Sequence, residues 1–261
     1  MLRSLYTAAT GMEAQQLKMD VIANNLANTA TTGFKRVRPE FQDLLSETVI
    51  QATAAGPQGG GQPVPLQVGL GVKTGSTTRS MGQGDMQNTQ NPLDVAIEGN
   101  GYFRVQMPTG EIAFTRAGNL RVDETGRLVT QHGEIIEPAI TVPPETTALT
   151  IKSDGTVLAS LPTKAEPTEL GQLQLTTFTN PAALSAMGHN LFQPTGASGQ
   201  ELQLRPGEQG AGTLSQGFLE SSNVKAVEEM IDMISTQRSY EMNSKVIQTA
   251  DQMLQRLTSL R

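Results

Sequence analysis

Cysteine and tryptophan are absent from this chain of 261 residues, histidine occurs only twice, and aromatic residues make up 4% of it. Without cysteine there is no disulfide framework, no thiolate nucleophile and no zinc site of the usual kind. Charged residues are also sparse, at 17% against the roughly 25% of an ordinary soluble protein. The charge that is present is mostly negative, with 25 acidic against 19 basic residues and a net charge of −6. That balance excludes a nucleic-acid binder relying on phosphate neutralisation. No run of ~18 apolar residues occurs, so no membrane-inserted helix is expected. Arg3, Glu13, Lys18 and Asp20 break up the amino terminus before any apolar core of a cleavable leader can form. The expectation is a protein that stays in the cytoplasm or is exported without a signal peptide. With so few large anchors, cohesion must come from Leu, Ile, Val and Met spread over an extended surface.

The two ends of the chain share a pattern that the middle lacks. Leu2, Leu5, Ala9, Met12, then Met19, Ala23 and Leu26 recur in a three-four alternation broken by Gln16, a narrow helical stripe. Its stop signal is Asn28-Thr29-Ala30-Thr31-Thr32-Gly33, with Gly33 suited to the left-handed conformation beyond a helix end. At the other end, no Gly or Pro interrupts Asn223 to Arg261. This stretch reads as one helix capped by Ser222 or Asn223, with Glu228 and Glu229 near the positive end of its dipole. One stripe comprises Val224, Val227, Ile231 and Ile234; an adjacent one comprises Met233, Tyr240, Asn243, Ile247, Ala250, Leu254 and Leu257. Narrow stripes at opposite chain ends suit helices that pair with each other and then with copies of themselves.

From Ser46 to about Asn91 little regular pattern is visible, and Gly56 to Pro65 is linker-like. From Leu93 the period becomes two: Val95 and Ile97, Phe103 and Val105, Ile112 and Phe114, Leu120 and Val122 alternate with polar residues. Turn signals separate these runs, among them Gly99-Asn100-Gly101, read as a hairpin turn, and Asp123-Glu124-Thr125-Gly126. Leu173, Leu175, Leu202 and Leu204 mark later strands, and Pro181 to Met187 a short helix. The middle is therefore expected to be an antiparallel β domain.

Catalytic chemistry finds no foothold in these residues. His132 and His189 each sit beside a glycine in a turn, without carboxylates at metal-ligand spacing, and read as solvated turn residues. Gly69 to Ser76 resembles a phosphate loop only superficially, because Lys73 precedes Gly75 instead of following it. Adjacent Asp123 and Glu124 point to opposite sides of the chain and belong to a turn. Lys35, Arg36 and Arg38 read as a solvated helix exit or a charge contact to a partner. The expectation is a structural protein with no catalytic residues, no cofactor and no metal.

At this point the motifs themselves are recognisable. Asp20 to Thr29 (DVIANNLANT), followed by Gly33-Phe34-Lys35, resembles the amino-terminal signature of the bacterial flagellar axial proteins of rod and hook. Gln216 to Val224 (QGFLESSNV), with Gln237 to Lys245 (QRSYEMNSK), resembles the matching carboxy-terminal signature. Between them, Asp94 to Phe103, Phe114 to Gly118 and Gly126 to Thr130 resemble the β domain of the same family. Three separated motifs in the right order span nearly the whole chain. The family-motif residues are Asn24, Asn25, Leu26, Asn28, Gly33, Phe34, Ser222, Asn223, Tyr240 and Asn243.

The resemblance implies an α+β fold. Long N- and C-terminal helices (residues 1–35 and 222–261) would form a coiled-coil-like core domain, partly disordered in the monomer. Residues 36–92 with 205–221 would form an extended linker and β connecting domain, and residues 93–204 an outer β domain. Length and the central segment place the chain nearest the distal-rod branch, with the other rod protein of similar architecture as the alternative. A cell-wall-acting enzyme is the alternative of a different class. The implied role is a passive, torque-transmitting tube in the periplasm-spanning part of the basal body, exported by the flagellar type III apparatus. Implied partners are further copies in a helical rod, the proximal rod protein, the hook protein and the surrounding L and P bushing rings. Leu5, Met12, Met19 and Leu26 at one end and Met233, Tyr240, Ile247 and Leu254 at the other are the expected assembly interface.

Overall fold

The computed structural model describes residues 2–51, 64–162, 166–208 and 210–259, and the side chains of Leu2 and of residues 257–259 lie outside what is described. Most of the linker-like Gly56 to Pro65 run, and the side chains of Leu2 and Leu257 in the two stripes, therefore fall outside the described residues. The protein is α+β, with a helix at each end and a mainly antiparallel β region between them. Its residues divide into two units. Met1–Leu26, Val37–Thr78 and Ala226–Arg261 make up a helical unit; Ala27–Arg36 and Arg79–Lys225 make up a β unit.

In the helical unit, α1 (Leu2–Ala27) ends where the Asn- and Thr-rich run begins, and Gly33 takes φ +70°. Leu5, Ala8, Met12, Gln15, Met19, Ile22 and Leu26 are buried or half-buried, while Ala9 and Ala23 are exposed. The covered face thus steps by three after Leu5 and Met19, where the sequence reading stepped by four. Ala8, Ala9, Ile22 and Ala23 are all apolar, so the pattern alone did not discriminate between the two steps. The second helix, α2 (Ala226–Ser259), is unbroken as expected. Neither Ser222 nor Asn223 caps it: the helix starts later, the Ser222 hydroxyl accepts from Val224 N at 3.3 Å, and the Asn223 side chain bonds elsewhere.

Among the described residues of the patternless stretch from Ser46 to Asn91 there are four strands: Glu47–Ile50, Leu66–Val68, Val72–Arg79 and Met86–Asn88. Glu47–Ile50 pairs antiparallel with Leu66–Val68, and Val72–Arg79 pairs with Val37–Asp43. The first of these ribbons is exposed throughout. A ribbon that buries neither face needs no alternation, and without alternation the sequence gives no strand signal.

All pairings in the β unit are antiparallel. Its largest sheet is centred on Tyr102–Gln106, flanked by Ile112–Thr115 and Ile135–Glu137. Phe103, Val105, Ala113, Leu128, Ile136, Leu173 and Leu175 form its interior. Four of the ten aromatics, Tyr102, Phe114, Phe178 and Phe192, pack together, Phe114 and Phe178 edge to face at 4.8 Å between centroids. Gly99-Asn100-Gly101 is not a hairpin turn. The Val95–Glu98 strand pairs with Thr213–Gln216, so this glycine turn carries the chain from one sheet into the next. The short helix expected from Pro181 to Met187 is a single 3-10 turn, Pro181–Ala183, after which Ser185–Gly188 pairs with Leu191–Gln193.

Candidate functional site

The seam between α1 and α2 is built from both termini. Asn25 donates to the Glu229 carboxylate at 3.2 Å, and the Cβ direction of Gly11 meets the Asn243 amide at 2.9 Å. Fourteen residues back along α1 correspond to fourteen onward along α2, so the helices run antiparallel. Any side chain at Gly11 would have to displace Asn243, so glycine is tolerated inside α1 because the helices approach closely there. This register puts Leu5, Met12, Met19 and Leu26 nearly level with Ala250, Asn243, Thr236 and Glu229. Those four α2 residues are spaced by seven, and all are buried or half-buried. The α2 floor of the seam is thus small or polar; Asn243 and Ala250 belong to the stripe displayed by the sequence, and Thr236 and Glu229 do not. Met233, Ile247 and Leu254 are half-buried and Tyr240 is exposed.

Asn25 and Thr236 satisfy their side chains close by. The Asn25 side chain pairs with Val37 much as a neighbouring strand would, donating to its carbonyl at 2.9 Å and accepting from its N–H at 3.0 Å. It thereby fixes the point at which the chain returns to the helical unit. Thr236 donates to the Asp232 carbonyl at 2.7 Å, one turn back. Of the remaining family-motif residues, Asn24 is exposed, Asn28 and Phe34 are half-buried, and Gly33 and Ser222 are buried. Asn223 accepts from Arg36 N at 2.7 Å and donates to the Ser80 and Gly82 carbonyls at 2.8 and 3.0 Å.

The face of α2 turned away from this seam is apolar and uncovered in its first turns, where Val227, Met230, Ile231 and Ile234 are exposed; Met242, Val246 and Met253 are exposed further along, on the flanks of the helix. Of the stripe Val224, Val227, Ile231 and Ile234 that the sequence displays, Val224 is buried ahead of the helix and the other three face outward; in the adjacent stripe Met233, Asn243, Ile247, Ala250 and Leu254 are buried or half-buried and Tyr240 is exposed. Charged residues interrupt this outer face only in part, which is unusual for a solvated helix surface.

In the β unit a second buried constellation joins distant parts of the chain. Glu220 side-chain oxygens accept from Lys35 Nζ at 2.6 Å, from Gly84 N at 2.8 Å and from Arg116 Nε at 2.5 Å. Lys35 also donates to the Gly82 carbonyl at 2.8 Å. Arg116 donates to the carbonyls of Gly101 and Gly99, at 2.9 and 2.5 Å, and to that of Ile97 at 3.3 Å. The side chains of Lys35, Arg116 and Glu220 are 1%, 4% and 0% exposed, so two cations and one anion share a dry site. Burial alone would raise the Glu220 carboxyl, but Arg116 and Lys35 outweigh it and hold it below its ordinary value. Burial pulls the Lys35 ammonium below its ordinary value, against the opposing pull of Glu220. Reading Lys35 as a solvated helix exit was therefore wrong. Lysine after a glycine turn looks exposed in sequence, and only the arrival of Glu220, 185 residues later, makes its burial feasible.

This constellation is structural in its chemistry. The carboxylate is sealed from solvent and saturated with donors, so it has no access to a substrate proton. A depression of about 270 Å³ lies over Arg116 beside Tyr102 and Phe178, but four of the guanidinium's five N–H groups are already committed. His132 and His189 sit in exposed turns with their rings stacked at 4.4 Å, a pairing that sequence distance conceals. Among the described residues no group of three or more His, Asp or Glu is placed to hold a metal ion, and no helix is long and apolar enough to cross a membrane.

Comparison with known proteins agrees with the motifs. Residues 5–35 match the family described as flagella basal body rod protein, residues 96–159 the flagellar hook protein FlgE/F/G D1 domain, and residues 215–260 the flagellar basal body rod FlgEFG protein C-terminal family. The chain is 48% identical over 261 residues to the flagellar basal-body rod protein FlgG of Caulobacter vibrioides, covering all of both chains. It is also 48% identical over 256 residues to that of Borreliella burgdorferi, covering 97% of each. The flagellar hook protein FlgE of Helicobacter mustelae is 44% identical over 138 residues, which is 52% of this chain and 30% of that one.

Proposed function

From the premise that this chain belongs to the flagellar basal-body rod protein family, a structural and not an enzymatic family of the flagellar basal body, we propose that it is the subunit of the distal rod. In this reading, copies assemble through their terminal helices into a rigid, coiled-coil-like helical tube that transmits torque to the hook. The observation that carries the proposal is the uncovered apolar surface at the start of α2, made by Val227, Met230, Ile231 and Ile234. A helix that packs one face on α1 and leaves the other apolar and bare is suited to a second helical layer. Contacts of this kind that do not close into a ring generate a filament.

The rest of the reading is what membership of the family implies. Leu5, Met12, Met19 and Leu26 with Met233, Tyr240, Ile247 and Leu254 form the seam and its flanks, the exposed Glu47–Ile50 and Leu66–Val68 ribbon acts as a connecting strut, and the β unit forms the outer layer. The proximal rod protein, the hook protein and the L and P rings are the neighbours, and the flagellar type III apparatus exports the chain. Purified chain tested by sedimentation and electron microscopy should form tubes above a threshold concentration. A chain lacking residues 1–26 should not, and should fail to restore swimming to a rod-deficient cell. Swimming restored by that truncated chain would refute the proposal.

A further inference from the structure

Lys35, Arg116 and Glu220 come from the segment after α1, the middle of the β unit and its last strand, and their meeting suggests more than a tie. We propose that these residues form a closing latch: the β unit completes its interior only when the Phe218–Glu220 strand carries its carboxylate between two cations. Folding of the unit then waits for a chain complete through Glu220.

Three observations support this. First, the charge balance is uneven. With Glu220 in place the site holds two cations and one anion, and the surplus is spread over the carbonyls of Gly82, Ile97, Gly99 and Gly101. Without Glu220 the same enclosure would hold two uncompensated cations, which a dry interior does not accept. Second, the strands at the end of the unit pair only with strands near its beginning: Thr213–Gln216 with Val95–Glu98 and Phe218–Glu220 with Met86–Asn88. Third, the backbone closes tightly around the same residue. Gly33 N donates to the Glu220 carbonyl at 2.8 Å, Ser221 N donates to the Asp85 carbonyl at 2.8 Å, and a Cβ on Gly84 would overlap the Ser221 carbonyl oxygen. The carboxylate and its flanking backbone thus seat together.

Hydrogen exchange on full-length variants tests the latch. In E220Q the interior amides of Phe103, Val105 and Leu175 should exchange together at least about a hundredfold faster, the factor expected when one partner of a buried ion pair is removed. In K35M one cation remains for one anion, and the Gly82 carbonyl keeps its bond from Asn223. Because Arg116 still compensates Glu220, the same amides should then accelerate at least about tenfold less than in E220Q. In the unaltered chain, pulse labelling during refolding should protect Gly84 and Phe103 in the same phase. Acceleration in E220Q confined to Gly33 and Gly84 would overturn the proposal, as would K35M being as damaging as E220Q, or Phe103 gaining protection well before Gly84. If E220Q does not fold at all while K35M does, the latch stands; if neither folds, the charge-excess argument fails.

Discussion

Replacing Ile231 and Ile234 with serine separates assembly from folding, because both side chains lie on the uncovered face of α2. They are 61% and 50% exposed in the single chain, so most of their apolar surface is still available to be buried by a neighbour. Full burial of an isoleucine is worth roughly 1.5–3 kcal/mol. Scaling by the exposed fractions leaves about 1–2 kcal/mol for Ile231 and about 1 kcal/mol for Ile234, or ~2–3 kcal/mol for the pair. At 1.4 kcal/mol per tenfold, the double variant should need a concentration about 30–100 times higher to assemble. Monomer stability should change little, since surface substitutions away from buried networks usually stay within ~0.5 kcal/mol and serine costs a helix only a few tenths more. Thermal unfolding of dilute chain and sedimentation over a concentration series measure the two quantities separately. Assembly at the unaltered concentration would refute the assignment of this face, and a large loss of monomer stability would show that it is covered within the chain.

Other expectations follow from buried contacts. A Cβ at Gly118 would overlap the Val95 carbonyl oxygen, so G118A should destabilise the β unit by about 3 kcal/mol or more, seen as a lowered unfolding temperature. N25A removes the partner of both polar groups of Val37 and one donor to Glu229, so it should cost about 1–3 kcal/mol in urea unfolding of the helical unit. Acid should act through Glu220. Because its carboxyl is held below the ordinary 4.5 in the folded chain, the unfolded chain binds more protons as the pH falls through that window. The stability Glu220 contributes is therefore present above about pH 4.5 and lost as the pH falls through the depressed folded-state value. Urea unfolding between pH 6 and pH 3, compared with E220Q, checks this: the variant should show a smaller acid loss.

The termini were legible because helices advertise themselves through a long period. Leu5, Met12, Met19 and Leu26 keep their spacing over several turns, and α2 runs without a breaker to its end. The β unit was legible wherever core residues alternate with less buried ones, as at Phe103 and Val105 beside the half-buried Arg104 and Gln106. The strands between Ser46 and Asn91 were not, because pairing without burial imposes no alternation. The candidate site was legible as motifs, but not as contacts.

Sequence by itself settled the class: terminal helices around an antiparallel β region, no catalytic constellation, and signatures of the flagellar axial family. Those are properties of local periodicity and residue type, which depend on near neighbours. Tertiary structure decided which stripe of α2 faces α1 and which stays bare, why Asn25 serves as a strand partner for Val37, and that Lys35 is buried. A charge is buried or solvated according to what arrives beside it. Here the partner arrives from the other end of the chain, a contact that no local pattern encodes.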